Sequence, residues 1–439
     1  MSSHTVPVHR ASSSSFARVR SLVARAHSES ALAIGAISIV GLHVADDNFL
    51  QPNAGTAASD HLVSGFVPLA LLAGAAAAYP RLRAGYRSLI AFLAGFLGLL
   101  GGVEAFHYGR TVGLSGDDYT GVLSIAAGFV LVGVSAVTLW RTRRRNDRIW
   151  WRYTRRLVLT FVAAFSTMAV LFPIAISYVV THAARAEVPP ANLGAPYEDV
   201  EFTTSDGLRL KGWYIRSQNG AAVISFPGRA ASQKRAKMLA DNGYGVLLFD
   251  RRGEGESEGD PNLFGWQGER DIHAAVEFLQ SRPDVDPNRV GGIGLSVGGE
   301  MMIEAAAESN ALKSIVSEGG SSRSVRDEIA NPGGRWQELV GTGFATLGTA
   351  VFTSDVPPAD LKSLVPKIGS RHVFFIYGEQ GQPAEKPANE GFYEEAKGYK
   401  EIWEVPGSGH MKGIEAQPQE YERRVVRFFD RALLGDNAR

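Results

Sequence analysis

The chain has 439 residues, 45 basic and 45 acidic side chains, and no cysteine, which excludes disulfide frameworks, thiolate nucleophiles and cysteine-based metal sites. Its neutrality conceals a division. Residues 1–185 hold 17 Arg, no Lys and 8 acidic residues, a balance of +9, whereas residues 186–439 hold 28 basic and 37 acidic residues, a balance of −9. The acidic part would repel phosphate, so no nucleic-acid partner is expected, and the two parts are built for different surroundings.

Five apolar stretches come first: roughly Ala31 to Leu50, Leu62 to Tyr79, Ser88 to His107, Tyr119 to Trp140 and Leu157 to Val180. Each approaches or exceeds the ~20 residues that a helix needs to cross a hydrocarbon core. A helix of a water-soluble core would need a polar face, which Tyr119 to Trp140 lacks. The first stretch, short before it runs into Asp46 and Asp47, is read as a span, with the core of a signal peptide as the alternative. Arginine sets the orientation, because basic residues in short loops resist translocation. Four fall in residues 1–30, three in "PRLRAGYR" and eight in "RTRRRNDRIWWRYTRR", against none and one in the two intervening loops. The reading is a cytoplasmic tail over residues 1–30, a plasma-membrane domain over 31–181 and a downstream domain on the extracytoplasmic side. His43, Asp46, Asp47, Glu104 and His107 lie toward the outer ends of the spans, where water and headgroups can solvate them, so no transport pathway is argued from them.

A Pro- and Ala-rich linker over residues 182–196 precedes a change of period. "YEDVEFTTSDGLRLKGWYI" reads as a hairpin turning at Asp206-Gly207. "GAAVISFPG", "YGVLLFDRRG", "RVGGIGLS" and "ALKSIVSEGG" read as strands separated by helical segments, which implies a mostly parallel sheet covered on both faces. From about residue 322 to 369 helical patches occur without strands, an expected lid insertion. A strand "RHVFFIYG", a helix "NEGFYEEAKG", a strand "YKEIWEVPG" and an amphipathic helix then close the chain. His273 and the run Glu254, Glu256, Glu258 read as structural or solvated. No histidine pair has metal-ligand spacing, so neither metal nor cofactor is expected.

Within "GGIGLSVGGE", Ser296 sits between Gly294 and Gly298 at the passage from strand to helix. A hydroxyl becomes nucleophilic only when a base can reach it, and a sharp turn flanked by glycines exposes it. The amide of Val297 at the following helix N-terminus could face an oxyanion.

These features resemble the alpha/beta-hydrolase superfamily over about residues 197–435 of an expected domain 197–439, in particular serine-aminopeptidase-like and related acyl hydrolases. The resemblance rests on the elbow, the hairpin "SDGLRLKGWYI", the segment "LLFDRRGEGESEG", the loop "VPGSGH" and the chain order of serine, acid and histidine. It implies Ser296 as nucleophile, His410 as general base, and backbone amides of Val297 and Arg229 as oxyanion donors, although Phe226-Pro227-Gly228-Arg229 replaces the usual His-Gly. Gly381 occupies the position where relatives carry the acid. Glu385 is the first choice for it, with Glu379 and Glu318 as rivals. The implied substrate is a small-molecule, lipid-like or peptide acyl compound, and the expected architecture is an α-helical transmembrane domain followed by an α/β-hydrolase domain.

Overall fold

The computed structural model describes residues 13–142, 148–331 and 336–435. Residues 1–12 of the expected tail, 143–147 of the arginine-rich loop, 332–335 of the expected lid and the last four residues lie outside the described part. Among the described residues the chain forms two compact units. One runs to Gln51 and resumes over Gly65–Thr154; the other comprises Pro52–Ser64 and everything from Arg155 onward.

The first unit is helical: α1 (Ser13–Ala45), α2 (Leu62–Ala78), α3 (Ala84–Gly101), α4 (Val103–Thr111), α5 (Asp118–Thr142) and the start of α6 (Ile149–Ser166). Small residues let these helices approach closely, as expected where lipid supplies no hydrophobic force between them. A side chain at Gly95 of α3 would lie 2.9 Å from the Gly128 carbonyl of α5. Ser88 and Ser135 join the same two helices by hydroxyls 2.8 Å apart. His43 Nε2 meets the Gly101 carbonyl at 2.6 Å, and Thr120 donates to Asp46 at 2.8 Å, so two of the ionisable groups singled out in the sequence are partnered within the bundle.

In the second unit, α6 continues through a wide turn at Thr167–Leu171 into α7 (Phe172–Thr181). Counted together, five helices among the described residues are long and apolar enough to cross a membrane: Ser28–Leu50, Leu62–Arg81, Ala84–Thr111, Asp118–Thr142 and Ile149–Thr181. They contain the five stretches legible in the sequence.

Beyond them lies an eight-stranded sheet of order β1-β2-β4-β3-β5-β6-β7-β8. Its strands are β1 (Glu198–Thr203), β2 (Arg209–Ile215), β3 (Ala222–Phe226), β4 (Gly245–Phe249), β5 (Val290–Leu295), β6 (Ser314–Glu318), β7 (His372–Gln380) and β8 (Lys400–Gly409). The first hairpin is antiparallel, with Phe202 opposite Leu210, and β2 joins β4 antiparallel; from β4 to β8 every pairing is parallel. The inner strands β3 to β6 are buried along their whole length, which is why they read as unbroken apolar runs. Parallel neighbours need crossovers, supplied by α8 (Gln233–Asp241), α9 (Glu269–Gln280) and α10 (Val297–Glu308).

Between β6 and β7 the chain inserts α11 (Val325–Ala330), α12 (Trp336–Thr353) and the single turn α13 (Leu361–Leu364). After β7 come α14 (Glu385–Glu395), and after β8 α15 (Gly413–Ala416) and α16 (Pro418–Phe429). One core packs Ile224, Ile272, Met302, Ile315 and Phe375 on one face of the sheet; the other packs Val223, Leu239, Val316, Phe374 and Phe428 on the opposite face. The carboxyl ends of β3, β5, β7 and β8 therefore open on one edge, where ligands of such sheets bind.

Candidate active site

Ser296 is the single residue between β5 and α10, and its backbone is held at φ 50, ψ −125. A non-glycine residue there is strained, and the surroundings enforce it: its amide donates to the Glu318 carbonyl at 2.7 Å, and its own carbonyl receives the Gly299 amide at 2.8 Å. The flanking glycines are sterically required. A methyl at Gly294 would collide with the carbonyl of Gly298, and one at Gly298 would lie 2.8 Å from Pro227 Cδ. The strand-to-helix passage thus lifts the hydroxyl off the sheet's carboxyl edge, with the first amides of α10 beneath it.

His410 follows the end of β8, and its Nε2 lies 3.0 Å from Ser296 Oγ. Its Nδ1 lies 2.6 Å from Glu385 Oε1. Glu385 is 1% exposed and opens α14, whose N-terminus favours a carboxylate; the same oxygen accepts the Gln382 amide at 2.6 Å. Its other oxygen, Oε2, is buried without a hydrogen-bond partner. The structure thus brings Ser296, His410 and Glu385 into one line of hydrogen bonds, from segments 114 and 25 residues apart.

The two rival acids lie elsewhere. Glu379, at the irregular end of β7, accepts the Gly407 amide at 2.7 Å. Glu318, at the end of β6, accepts from Arg235 Nη2 at 2.7 Å, from the Tyr421 hydroxyl at 2.6 Å and from the Gly413 amide at 3.0 Å. Burial opposes the charge of Arg235, but Tyr421 and Glu318 hold its pKa above the ordinary value. This buried cluster also binds the Met411 carbonyl through Arg235, so it grips the chain on the far side of His410.

Val297 is the first residue of α10, immediately after Ser296. Arg229 is placed differently from its sequence expectation: its amide donates to Asp250 Oδ1 at 3.0 Å. Its guanidinium is engaged too, with Asp250 at 2.6 Å and Glu256 at 2.7 Å, and stacks 5.1 Å over Trp213. Two residues beside the line of hydrogen bonds carried no sequence signal that singled them out. Asn389, one turn after Glu385 on α14 and fully buried, ties the Glu385 carbonyl to that of Gly320. Glu300, one turn after Ser296, accepts the Ser321 amide at 2.7 Å, and burial pushes its pKa up to about 7 against the pull of Arg323. His273 bonds the Ala305 carbonyl, and Glu254, Glu256 and Glu258 each pair with an arginine, so these are structural groups. Among the described residues no three His, Asp or Glu side chains converge as a metal-binding group.

The strand order, with its antiparallel first hairpin and Ser296 on the turn after β5, gives the second unit an alpha/beta-hydrolase-like fold. Residues 193–404 match the model of the X-Pro dipeptidyl-peptidase (S15) family. The chain is 38% identical over 120 residues to the polyketide transferase grgF of a Penicillium species, covering 26% of this chain and 41% of that protein. It is 37% identical over 129 residues to the thiohydrolase aneE of Aspergillus aculeatus, covering 28% of this chain and 41% of that protein. These matches span well under two thirds of either relative. Among solved structures, the esterase Pf2001 of Pyrococcus furiosus is similar with a TM-score of 0.46 at 24% identity, over 57% of this chain and 98% of that one.

Proposed function

We propose that the chain is a membrane-anchored serine hydrolase that cleaves an ester, thioester or peptide bond through an acyl-serine intermediate. Its catalytic domain, residues 197–439 with a lid at about 322–369, stands on the extracytoplasmic side of the plasma membrane, joined by the linker 182–196 to a membrane domain over 31–181. The observation that carries this reading is the run from Ser296 Oγ to His410 Nε2 at 3.0 Å and from His410 Nδ1 to Glu385 Oε1 at 2.6 Å.

With its proton on Nδ1, neutral His410 donates to Glu385 and accepts from the Ser296 hydroxyl. As Oγ attacks the substrate carbonyl, Nε2 takes the hydroxyl proton, and Glu385 stabilises the imidazolium without itself being protonated. The imidazolium then protonates the leaving group. Water repeats the sequence on the acyl-serine and restores the enzyme. The Val297 amide supports the negative oxygen of each tetrahedral intermediate. Arg229 becomes the second donor only when its amide leaves Asp250, so substrate binding has to draw it away. The S15 match and the thiohydrolase relative keep both peptide and thioester bonds within the reading.

The engaged Arg229 amide favours one other reading, a catalytically inactive fold that serves as a binding or assembly module at the membrane. Labelling by a fluorophosphonate separates the two. The active enzyme reacts at Ser296 and loses the label in Ser296→Ala and His410→Ala; a folded protein that never takes the label is the module. The orientation is tested by a C-terminal alkaline-phosphatase fusion, which is active only if that end lies outside the cytoplasm.

A further inference from the structure

Helix α12 carries a long apolar run: Leu339 to Thr353 hold no charged residue. It lies in the insertion between β6 and β7, yet its partner is not the sheet. It packs along the second half of the fifth apolar helix, from Thr167–Leu171 through Phe172–Thr181. Small residues, one polar link and an aromatic pair make the contact, the first two as between helices in lipid. A side chain at Gly341 would meet Pro173 Cγ at 3.8 Å, and one at Gly348 would meet Ser177 Oγ at 2.8 Å. The Ser177 hydroxyl donates to the Ala345 carbonyl at 2.8 Å, and Phe352 stands edge-on to Tyr178 with ring centres 5.1 Å apart.

This pairing fixes how deep α12 must lie. The uncharged run of the span extends from Leu157 to Thr181, directly after Arg155 and Arg156. If all contact with α12 were kept out of the hydrocarbon, only Leu157 to Ser166 would remain inside it. At ~1.5 Å per residue those positions cover ~15 Å, half of a ~30 Å core. The rest of the core has to be filled by residues that α12 flanks. Away from the span α12 meets α11, where Thr346 accepts the Val325 amide at 2.9 Å, but the apolar side chains of Leu339 and Leu347 stay open, 40% and 58% exposed.

We propose that α12 is a lipid-immersed helix, lying beside the fifth span in the leaflet on the hydrolase side and covered on its open face by the acyl chains of that leaflet. The inference rests on the fifth helix crossing a bilayer, as the proposed function has it, and it makes the lid insertion of the hydrolase a part of the membrane domain's lipid contact.

The absence of native cysteine makes the test direct. Full-length Leu347→Cys, Phe165→Cys and Lys397→Cys proteins, all altered at exposed side chains, are labelled with a polarity-sensitive nitrobenzoxadiazole probe and placed in phosphatidylcholine vesicles containing lipids spin-labelled along the acyl chain. The probe at Leu347 is expected to emit at shorter wavelength and to lose most of its fluorescence to the spin labels, as at Phe165 in the span, with Lys397 on the hydrolase surface unaffected. Quenching at Phe165 but not at Leu347 overturns the proposal and leaves the span intact, and a blue-shifted but unquenched probe at Leu347 means that protein covers the helix. Absence of quenching at Phe165 instead overturns the membrane-spanning reading and the proposal with it.

Discussion

Replacing Glu385 by glutamine tests the acid directly, because the surroundings dictate what the amide can do. Glu385 Oε1 receives two donors, the Gln382 amide and His410 Nδ1, whereas Oε2 is buried with no partner. In Glu385→Gln the side-chain oxygen can keep the Oε1 position, leaving the NH2 group buried and unbonded at a cost of about 1–3 kcal/mol. Alternatively the amide turns over. Its NH2 then faces the Gln382 amide and His410 Nδ1, and forces the imidazole proton onto Nε2, where it blocks proton transfer from Ser296. Either way the imidazolium of the transition state loses its carboxylate. A tautomer and charge defect of this kind lowers turnover by about 10^3–10^4, equivalent to ~4–5.5 kcal/mol of barrier. The assay is kcat/KM for a p-nitrophenyl ester, alongside the rate of fluorophosphonate labelling, on purified full-length protein with thermal unfolding checked in parallel. A loss of less than tenfold in a stably folded variant would refute the assignment and return the question to another carboxylate.

Arg235→Met strands the buried Glu318 carboxylate beside Tyr421 and should cost about 3–5 kcal/mol, a fall of roughly 10 °C in apparent melting temperature at ~2–4 °C per kcal/mol. A fall under about 2 °C would show that the cluster is not what holds the His410 loop. Glu300 concerns pH. Its folded pKa of about 7 exceeds the ordinary 4.5, so the folded state holds the proton more tightly, and stability from this group is full below about pH 4.5 and lost as pH rises to about 7. Glu300→Gln, which keeps the acceptor for the Ser321 amide, should therefore gain on wild type by up to ~3 kcal/mol between pH 5 and pH 8; a difference in stability that stays flat with pH contradicts the raised pKa.

Much of this architecture is readable in the chain because the physical signals are local. Inner strands buried on both faces appear as apolar runs, the elbow appears as glycines around Ser296, and the fifth span appears as the apolar stretch Leu157 to Val180 after Arg156. The acid could be narrowed only to three glutamates. What separates them is long-range: Glu318 is claimed by Arg235 and Tyr421, 83 and 103 residues away, and Glu379 turns to Gly407 where β7 and β8 shift register. Arg229 shows the same limit, since its position after β3 suits an oxyanion donor but its amide is taken by Asp250, 21 residues further on. The pairing of α12 with the fifth span was equally hidden, because helical periodicity marks an apolar face without naming what covers it.

The central claim is that an acyl group passes through Ser296. Incubating full-length protein with a slowly released p-nitrophenyl ester, quenching in acid and mapping peptides by mass spectrometry reads that step. The account predicts one acyl group on the peptide containing Ser296, absent from Ser296→Ala. Ester turnover by wild type with no adduct at that residue, or with the acyl group elsewhere, would contradict it.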